Sequence, residues 1–421
     1  MRVRAVVCNF NGGAEVLACL AALTGLHEVV VVDNGSTDGS DAAVERLPGV
    51  RLIRSPGNLG YPGLNQAMTD LDGVDAVLVV NPDAVVEPSC VDALVQALDD
   101  DPGVSAACPR ILLEGAYRSL VLHVEGPRPS LDLLAVEEAG RWHLTGPGVR
   151  RRWHGGVAWS VGDGSVLRTT SGSVRLRVRA HAPTRLSLGG TQVDVGRAPV
   201  WVAAAVAGPA VDVVQNAGSV IGPHGVGMNR GYHREDGPDF GVACDVPAWC
   251  GAGVLLRASY LRTMSSSGGG LLDPRWFLYY EDTDLAWRGL LRGARYSYVP
   301  DARLRHAHST TIGHGSGLYD VQHHRNRLLT VTKNAPAADV VAAWSDSARL
   351  VGRQLRDDVV SRLRDRRAPE LVPAWRRARG LTGAARLMPA VWRDRPTVRT
   401  GAVRDADLPV LGRWVDPVGG A

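Results

Sequence analysis

Short valine-rich runs alternate with longer alanine- and leucine-rich segments over the first 110 residues of this chain. The runs predict buried strands at 4–7, 29–32, 51–53, 76–80 and 105–107, and the segments between them predict helices. This rhythm is typical of a doubly wound sheet with helices on both faces. A chain of 421 residues is long enough for two or three domains with sizeable cores.

The pattern changes between about 116 and 214. The stretch 173–179 alternates with period two, and 184–195 reads as a hairpin turning at Gly189 and Gly190. Both features predict an inserted antiparallel, β-sandwich-like module. The run 215–241 predicts irregular loop, and from Tyr319 onward the chain turns helical and basic. Proline residues are expected to break this tail into short helices: Pro369, Pro373, Pro389 and Pro396.

We therefore expect four regions. They are 1–115 (first half of an α/β domain), 116–214 (β module), 215–318 (second half of that domain) and 319–421 (helical region).

Composition excludes several classes of protein. A net charge of +4 argues against general nucleic-acid binding. Schiff-base or phosphate-loop chemistry would have to use Lys333, the one lysine of the chain. The six cysteines form no C-x-x-C pair, and no apolar run approaches the roughly 20 residues of a membrane span. Since no signal-peptide pattern precedes the first strand, we expect a cytoplasmic protein.

Polar residues follow four of the predicted strands: Asn9 and Asn11, then 33–38, 58–60 and 81–83. Open α/β sheets bind ligands at the carboxyl ends of their strands, so these groups predict a nucleotide-sized site. Asp33 is suited to accept the imino N–H of a uracil or thymine ring. Helix capping is the alternative, and we prefer it for Asp38. Asn58 and Asn65 fit a turn and a helix start near a pyrophosphate.

Asp83 follows a strand and a proline, which places its carboxylate in a rigid turn. One carboxylate, two diphosphate oxygens and water make a normal shell for Mg²⁺ or Mn²⁺. A structural turn aspartate is the alternative. His306 and His308 follow a later predicted strand and could supply a nitrogen ligand to the same metal. Arg325 could clamp the diphosphate through two parallel hydrogen bonds, or it could be ordinary basic surface.

The second acidic group follows the aromatic run 276–280. Asp282 is the candidate general base, Glu281 would orient it or bind the acceptor, and Asp284 is expected to cap the following helix. The alternative is that these acidic residues lie at a solvated helix N-terminus, where they compensate the helix dipole. Aromatic residues are only 5% of the chain, so their concentration here favours a sugar pocket.

These segments form a recognisable series. They are Asn9-Phe10-Asn11-Gly12-Gly13, 33–40, Asn58-Leu59-Gly60-Tyr61, Asn81-Pro82-Asp83-Ala84, Cys250-Gly251-Ala252-Gly253, 277–285 and Arg305-His306. Together they resemble family 2 glycosyltransferases of GT-A fold, and within that family the bacterial rhamnosyltransferase-like branch. The resemblance covers about 1–110 and 216–334.

The resemblance implies an inverting transferase that uses a dTDP- or UDP-sugar and a divalent metal, with a glycan or a lipid-linked molecule as acceptor in polysaccharide biosynthesis. It implies that Asn9 and Asp33 hold the nucleotide base. The sugar pocket would be Gly251, Ala252 and Gly253, the metal would bind Asp83 and His306, and Asp282 would be the base.

Two features depart from the family pattern. Asn81 stands where the family often has the first acid of an Asp-x-Asp motif, so Asp83 needs help from His306. The β module has no counterpart in the minimal fold, and it could bind a polymeric acceptor or form a homo-oligomer interface. The basic C-terminal helices could contact the inner face of an anionic membrane, or they could form a solvated lid.

Two other functions remain as alternatives. A sugar-nucleotide pyrophosphorylase would share the nucleotide-binding architecture, but the glycine-rich basic loop of those enzymes is not seen here. A non-catalytic, lectin-like protein would use the β module for glycan binding, and the presence of both Asp83 and Asp282 argues against it.

Overall fold

The N-terminal part of the chain alternates strands and helices in this computed structural model. The structure describes residues 1–126, 130–147, 149–153, 157–264, 271–307, 317–364, 369 and 371–416. The first strands are β1 (Val3–Asn9), β2 (Glu28–Asp33), β3 (Val50–Arg54), β4 (Ala76–Val80), β5 (Ala84–Val86) and β6 (Val104–Leu113). The helices among them are α1 (Gly13–Ala22), α2 (Ser40–Glu45), α3 (Asn65–Met68) and α4 (Cys90–Asp100).

Ten antiparallel strands follow and form two five-stranded sheets. They are β7 (Arg118–Glu125), β8 (Ser130–Glu137), β9 (Trp142–Thr145), β10 (Arg150–Trp153), β11 (Val157–Gly162), β12 (Ser165–Thr169), β13 (Ser173–Arg179), β14 (Thr184–Leu188), β15 (Thr191–Val195) and β16 (Val200–Ala205). Alternate residues of β7 and β13 are buried, and both sheets contribute to one apolar core. This period of two is the signature of a sheet with one face covered.

The chain then returns to the first sheet. The next strands are β17 (Val214–Asn216), β18 (Ser219–Ile221), β19 (Gly227–Asn229), β20 (Cys244–Asp245), β21 (Gly253–Arg257) and β22 (Arg295–His306). Two helices, α5 (Ala258–Met264) and α6 (Glu281–Leu291), lie between the last two strands. The predicted loop 215–241 is thus more regular than expected, because β18 and β19 pair within it.

The large sheet has the order β20-β22-β6-β21-β4-β1-β2-β3. Strands β1 to β4 are parallel, and β21 enters antiparallel between β4 and β6. Strand β4 is buried at every residue, as expected for a strand covered on both faces. The predicted fold class, an α/β sheet with an inserted antiparallel β module and a C-terminal helical region, is confirmed. The exact boundaries of the four regions stay a prediction.

Among its described residues, the C-terminal region contains the helices α7 (Gly317–Asn334), α8 (Ala337–Leu355), α9 (Arg362–Arg364) and α10 (Val372–Arg399), with a π-helical segment at Arg356–Ser361. Pro389 and Pro396 lie inside α10, so the prediction that prolines divide this tail was wrong there. Pro373 occupies the first turn, where no amide is needed. Along α10, Arg395 and Arg399 donate to backbone carbonyls of α7, and such tertiary contacts outweigh the local cost of proline.

The one lysine of the chain is part of a buried ion network. Lys333 Nζ donates to Asp273 Oδ2 at 2.8 Å and to Asp284 Oδ2 at 2.9 Å. Asp284 also accepts from Arg288 Nε and from Asn334 Nδ2, both at 2.9 Å. The expected capping role of Asp284 is therefore wrong, since its carboxylate is fully buried and turns to α7 instead of the amides of α6. Lys333 and its neighbours lower the pKa of Asp284 despite the burial.

Within the described residues, no helix combines the length and the hydropathy needed to cross a membrane.

We predict that Lys333→Met lowers the free energy of unfolding by about 3–5 kcal/mol, because it leaves two buried carboxylates without their shared cation. Denaturant unfolding followed by tryptophan fluorescence measures this. Arg2→Met is the control, since Arg2 and Asp75 form an exposed pair, and it is expected to change stability by less than about 1 kcal/mol. Equal effects of the two substitutions would contradict a structural role for the buried network.

Candidate active site

Several predicted site residues meet at one edge of the large sheet. Strands β1, β2 and β4 run parallel and end there at Asn9, Asp33 and Val80. Because β21 is antiparallel to β4, its first residue, Gly253, lies opposite Val80 at the same edge. The topology therefore brings Gly251–Gly253 beside the turn that carries Asp83, although 168 positions separate Asp83 from Gly251 in the sequence.

Asn9 and Asp33 form a buried hydrogen-bond network at this edge. Asn9 Nδ2 donates to Asp33 Oδ1 at 2.8 Å and to the hydroxyls of Ser36 and Ser40 at 3.1 and 3.0 Å. Asp33 also accepts from the Ser36 hydroxyl at 2.6 Å and from the amides of Gly35 and Ser36 at 3.0 Å. Asp33 thus shapes the loop after β2, and direct contact with a base stays a prediction.

Asn58 and Asn65 differ in what they contact. Asn58 Oδ1 accepts the amide of Gly60 at 2.9 Å and closes the expected turn. Asn65 is committed elsewhere, because its amide group donates to the Leu272 carbonyl at 2.7 Å and accepts the Leu272 amide at 2.9 Å. Asn65 therefore anchors the backbone near Leu272, and its predicted pyrophosphate contact stays a prediction.

Gly60 makes a close approach that only glycine allows. Its φ is +67°, and a Cβ atom there would lie 1.9 Å from the Phe277 carbonyl oxygen. The next amide, that of Tyr61, donates to the same oxygen at 2.8 Å. The turn after β3 is thereby attached to the segment that leads to Asp282.

Asp83 and His306 lie in contact. His306 Nε2 is 2.9 Å from Asp83 Oδ1, and the two side chains are 5% and 9% exposed. His306 Nδ1 is 2.8 Å from Gln215 Oε1, which can only accept, so Nδ1 carries a proton. Gln215 was not predicted from the sequence, and its strand β17 pairs with β6 next to β22. His308 lies outside the described residues.

The Asp83–His306 pair fits a divalent metal. His306 Nε2 and Asp83 Oδ1 face each other at 2.9 Å, close enough to bind one cation together. Metal–ligand distances of about 2.1 Å put neighbouring octahedral ligands roughly 3 Å apart. No group of three or more His, Cys, Asp or Glu side chains with metal-binding geometry occurs among the described residues. Asp83 and His306 would then supply two ligands, and phosphate oxygens and water would complete the shell.

Asp282 is fixed at the start of α6 by three hydrogen bonds. Its Oδ2 accepts the amide of Gly251 at 3.0 Å, and its Oδ1 accepts the amide and the hydroxyl of Thr283 at 2.6 and 3.1 Å. On the other side of Gly251, the Ala252 carbonyl accepts the amide of Asn81 at 3.1 Å. The two acidic sites are therefore joined through Gly251 and Ala252.

Glu281 and Asp282 differ in how their charge is stabilised. Glu281 is buried, and its Oε2 has no hydrogen-bond partner among the described residues. Burial first, then the neighbouring Asp282 charge, raises the pKa of Glu281 well above its ordinary value. Burial also raises the pKa of Asp282, but its hydrogen bonds oppose this shift. Of the two carboxyls, Asp282 is thus the one suited to carry the negative charge.

The segment before Asp282 has an unusual backbone. Phe277, Tyr279 and Tyr280 all have positive φ, at 61°, 70° and 72°, which costs about 1–3 kcal/mol for each bulky residue. Asn326 compensates, since its Nδ2 donates to the carbonyls of Trp276, Leu278 and Tyr279 at 2.8, 2.8 and 2.7 Å. Asn326 was missed in the sequence, where only its place beside Arg325 could have drawn attention to it.

Arg325 supports the same segment. Its guanidinium donates to the carbonyls of Arg275 and Trp276 at 3.0 and 2.9 Å and to Asn326 Oδ1 at 2.8 Å. Arg325 thus helps to position this segment, and its predicted contact with the diphosphate stays a prediction.

The aromatic run is partly core. Trp276 is fully buried and donates to Thr330 at 2.8 Å, and the hydroxyl of Tyr280 accepts the Gly227 amide at 3.0 Å. Only Phe277, Leu278 and Tyr279 are half-exposed, so the stacking surface predicted for a sugar is narrower than expected.

A separate cavity of about 360 Å³ lies in the β module, lined by residues that include Ser119, His123, Ser187 and Gln192. None of the predicted site residues lines it.

The fold is an α/β sheet whose predicted site residues meet at one edge. Residues 5–153 match the family model described as Glycosyl transferase family 2, so the resemblance predicted from the motifs is confirmed. Two curated relatives from Mycobacterium tuberculosis, strains CDC 1551 / Oshkosh and ATCC 25618 / H37Rv, are named N-acetylglucosaminyl-diphospho-decaprenol L-rhamnosyltransferase. Each is 35% identical over 122 residues. The match covers 25% of this chain and spans only 40% of the length of those relatives.

Two solved structures resemble this chain more weakly. One is GalNAc-T7 with UDP, GalNAc and Mn²⁺, at 12% identity and a TM-score of 0.43, covering 79% of this chain and 48% of that chain. The other is the mannosyltransferase PcManGT of Pyrobaculum calidifontis with GDP-Man and Mn²⁺, at 14% identity and a TM-score of 0.40, covering 92% and 87%. At these scores neither structure bears on the activity of this chain.

We predict that Glu281→Gln becomes more stabilising as pH rises. A carboxyl whose pKa is raised by folding contributes stability below its unfolded pKa of about 4.3, and that stability is lost as pH rises through the folded pKa. Glutamine is neutral throughout, so the variant's gain in unfolding free energy over wild type should grow between about pH 5 and 8. Denaturant titrations measure it, with the exposed Glu125→Gln as control. A difference that does not change with pH would contradict the shift.

We predict that Asn326→Ala lowers the free energy of unfolding by about 1–3 kcal/mol, because buried carbonyls lose their donor. Limited proteolysis should then cleave between 276 and 281 faster than in wild type. Gln96→Ala removes an exposed amide from α4 and serves as the control. Unchanged cleavage in Asn326→Ala would show that the segment holds its backbone without this side chain.

Proposed function

We propose that this chain is an inverting glycosyltransferase that moves a sugar from a dTDP- or UDP-sugar to a hydroxyl of a glycan or lipid-linked acceptor. One observation carries the proposal. Gly251 and Ala252 are bonded on one side to Asp282 and on the other to the turn of Asp83. A candidate base and a candidate leaving-group site thus lie beside the same short segment, as displacement at one sugar carbon requires.

Asp83 and His306 would hold Mg²⁺ or Mn²⁺ on the leaving-group side. When bound, such a metal neutralises the negative charge that develops on the departing diphosphate. Gln215 keeps the His306 ring in the tautomer that directs Nε2 toward Asp83. The loop shaped by Asn9 and Asp33 would receive the nucleotide base, and the small residues Gly251–Gly253 would leave room for the sugar.

Asp282 would act on the acceptor side. Its Oδ2 accepts one hydrogen bond, from Gly251, which leaves a lone pair for the proton of the acceptor hydroxyl. As that oxygen bonds to the anomeric carbon, the bond from this carbon to the diphosphate oxygen breaks, and the nucleoside diphosphate leaves with the electron pair. Attack opposite the leaving group inverts the anomeric configuration.

The choice of substrates follows the relatives. The mycobacterial proteins are named for transfer of L-rhamnose to N-acetylglucosaminyl-diphospho-decaprenol. An L-rhamnosyl donor and an N-acetylglucosaminyl-diphospho-lipid are therefore the first pair to test on this chain. We place the reaction in polysaccharide biosynthesis at the cytoplasmic side of the cell envelope.

We predict that the purified chain with Mn²⁺ transfers sugar from a dTDP- or UDP-sugar to such an acceptor, and that Asp282→Asn lowers kcat by about 10²- to 10⁴-fold. Donor binding, followed as a thermal shift, should persist in Asp282→Asn but weaken in Asp83→Asn when Mn²⁺ is present. Asp99→Asn, at an exposed position of α4, is the matched control and should match wild type.

Three outcomes would contradict this proposal. Wild-type turnover by Asp282→Asn would remove the assigned base. Glycan binding without any nucleotide-diphosphate binding would favour the lectin-like alternative. Formation of a nucleotide sugar from a nucleoside triphosphate and a sugar phosphate would favour the pyrophosphorylase alternative.

A further inference from the structure

One end of the C-terminal helices exposes an unusual set of large apolar side chains. We define the apolar tip as Leu318, Leu355, Val360, Leu363, Leu371, Val372 and Trp375, which are 43–58% exposed. Singly exposed apolar residues are ordinary, but a concentration of them on one surface marks an interaction site.

The packing of the helices brings these residues to the same end. Thr332 and Arg327 of α7 bond to Trp344 and Ser347 of α8, so α8 runs antiparallel to α7. The contacts Asp320–Arg376 and Asn334–Arg399 show that α10 runs parallel to α7. The end of α8 and the start of α10 therefore both lie at the start of α7, where Leu318 is found.

An apolar stripe begins in the second half of α8 and continues through the π-helical segment into α9. Val351, Leu355, Val359 and Leu363 recur every four residues, the spacing of one helix face, yet none of them is buried. The buried residues of α8, Val340 and Ala343, are confined to its first two turns. The pattern predicts a partner for this face, and the described part of the chain does not supply one.

The same end is rich in arginine. The described residues between Arg349 and Arg379 include eight arginines and two aspartates, a net charge of +6, whereas the whole chain carries +4. Arg353, Arg356, Arg364 and Arg379 are exposed. The Arg379 guanidinium lies 5.1 Å from the ring centre of Trp375, so a cation and an interfacial aromatic side chain are adjacent.

We infer that the apolar tip docks on an anionic lipid bilayer. Leucine, valine and tryptophan side chains would enter the boundary between headgroups and acyl chains, and the arginines would meet lipid phosphates. A second copy of the chain is a poor occupant, because pairing two tips would bring the exposed arginines Arg353, Arg356, Arg364 and Arg379 of each copy together. The inference does not require the proposed transfer reaction.

The tip is also connected to the candidate active site. Tyr319 follows Leu318, and its ring packs edge-on against Tyr279 with 5.0 Å between ring centres. Tyr279 belongs to the segment held by Asn326, three residues before Asp282. A bilayer at the tip would therefore lie close to the acceptor side of the site, which suits an acceptor anchored in lipid.

The test is flotation of the purified full-length chain with vesicles. We predict binding to vesicles of phosphatidylcholine mixed with phosphatidylglycerol, weakening with salt, and little binding to phosphatidylcholine alone. The double variant Leu363→Asp, Leu371→Asp should bind at least about tenfold more weakly. The control Val121→Asp, Val242→Asp changes two exposed valines elsewhere and should stay within about twofold of wild type.

Circular dichroism and thermal unfolding establish that both double variants are folded, as exposed positions allow. Absence of wild-type binding to the anionic vesicles at low salt would overturn the inference. So would equal binding by wild type and the tip variant. Sedimentation equilibrium without lipid tests whether the tip binds a second copy of the chain instead. A wild-type dimer that is lost in the tip variant would show that it does, and would overturn the inference. Vesicle binding needs no turnover, so failure here is distinct from failure of the proposed function.

Discussion

The hydrogen bonds from the Asn326 side chain to three backbone carbonyls of the segment 276–279 determine where Asp282 lies. Without a donor, the carbonyls of Trp276, Leu278 and Tyr279 would be left unsatisfied, and the left-handed backbone of this segment would lose its compensation. The segment leads directly into α6, so its path sets the position of Asp282. Strain held by a neighbouring helix in this way is typical of functional sites.

The ion network behind α6 holds the same elements together from the other side. Asp284 belongs to α6 and Lys333 to α7, and their contact lies two residues beyond the candidate base. Asp273 contacts the same Lys333 ammonium group, and hydrogen bonding to Arg275 together with Lys333 lowers the pKa of Asp273 to about 2 despite its burial. A shift of α6 or α7 would separate buried charges, which costs much free energy. The ion network therefore fixes the first turn of α6.

The polar clusters at the strand ends could be found in the sequence because each follows a strand of simple pattern. β4 is apolar throughout, and a doubly wound sheet brings such strand ends to one edge. The partners of those clusters could not be found in this way. Gln215 reaches His306 only because β17 pairs with β6 beside β22, and Asn65 reaches Leu272 across 207 positions. Both contacts join residues far apart in the sequence, and no periodic signal surrounds them.

The local sequence pattern by itself determined the alternation of strands and helices and the inserted β module, and it singled out the acidic residues as candidates. It could do so because the period of burial and the chemistry of turns are properties of neighbouring residues. Only the tertiary structure decided which contacts each acidic side chain makes. Asp282 and Asp284 are two positions apart on one helix, yet one turns to Gly251 and the other to Lys333. The physical reason is that the role of a carboxylate depends on the donors and charges around it, and these come from strands and helices far away in the chain.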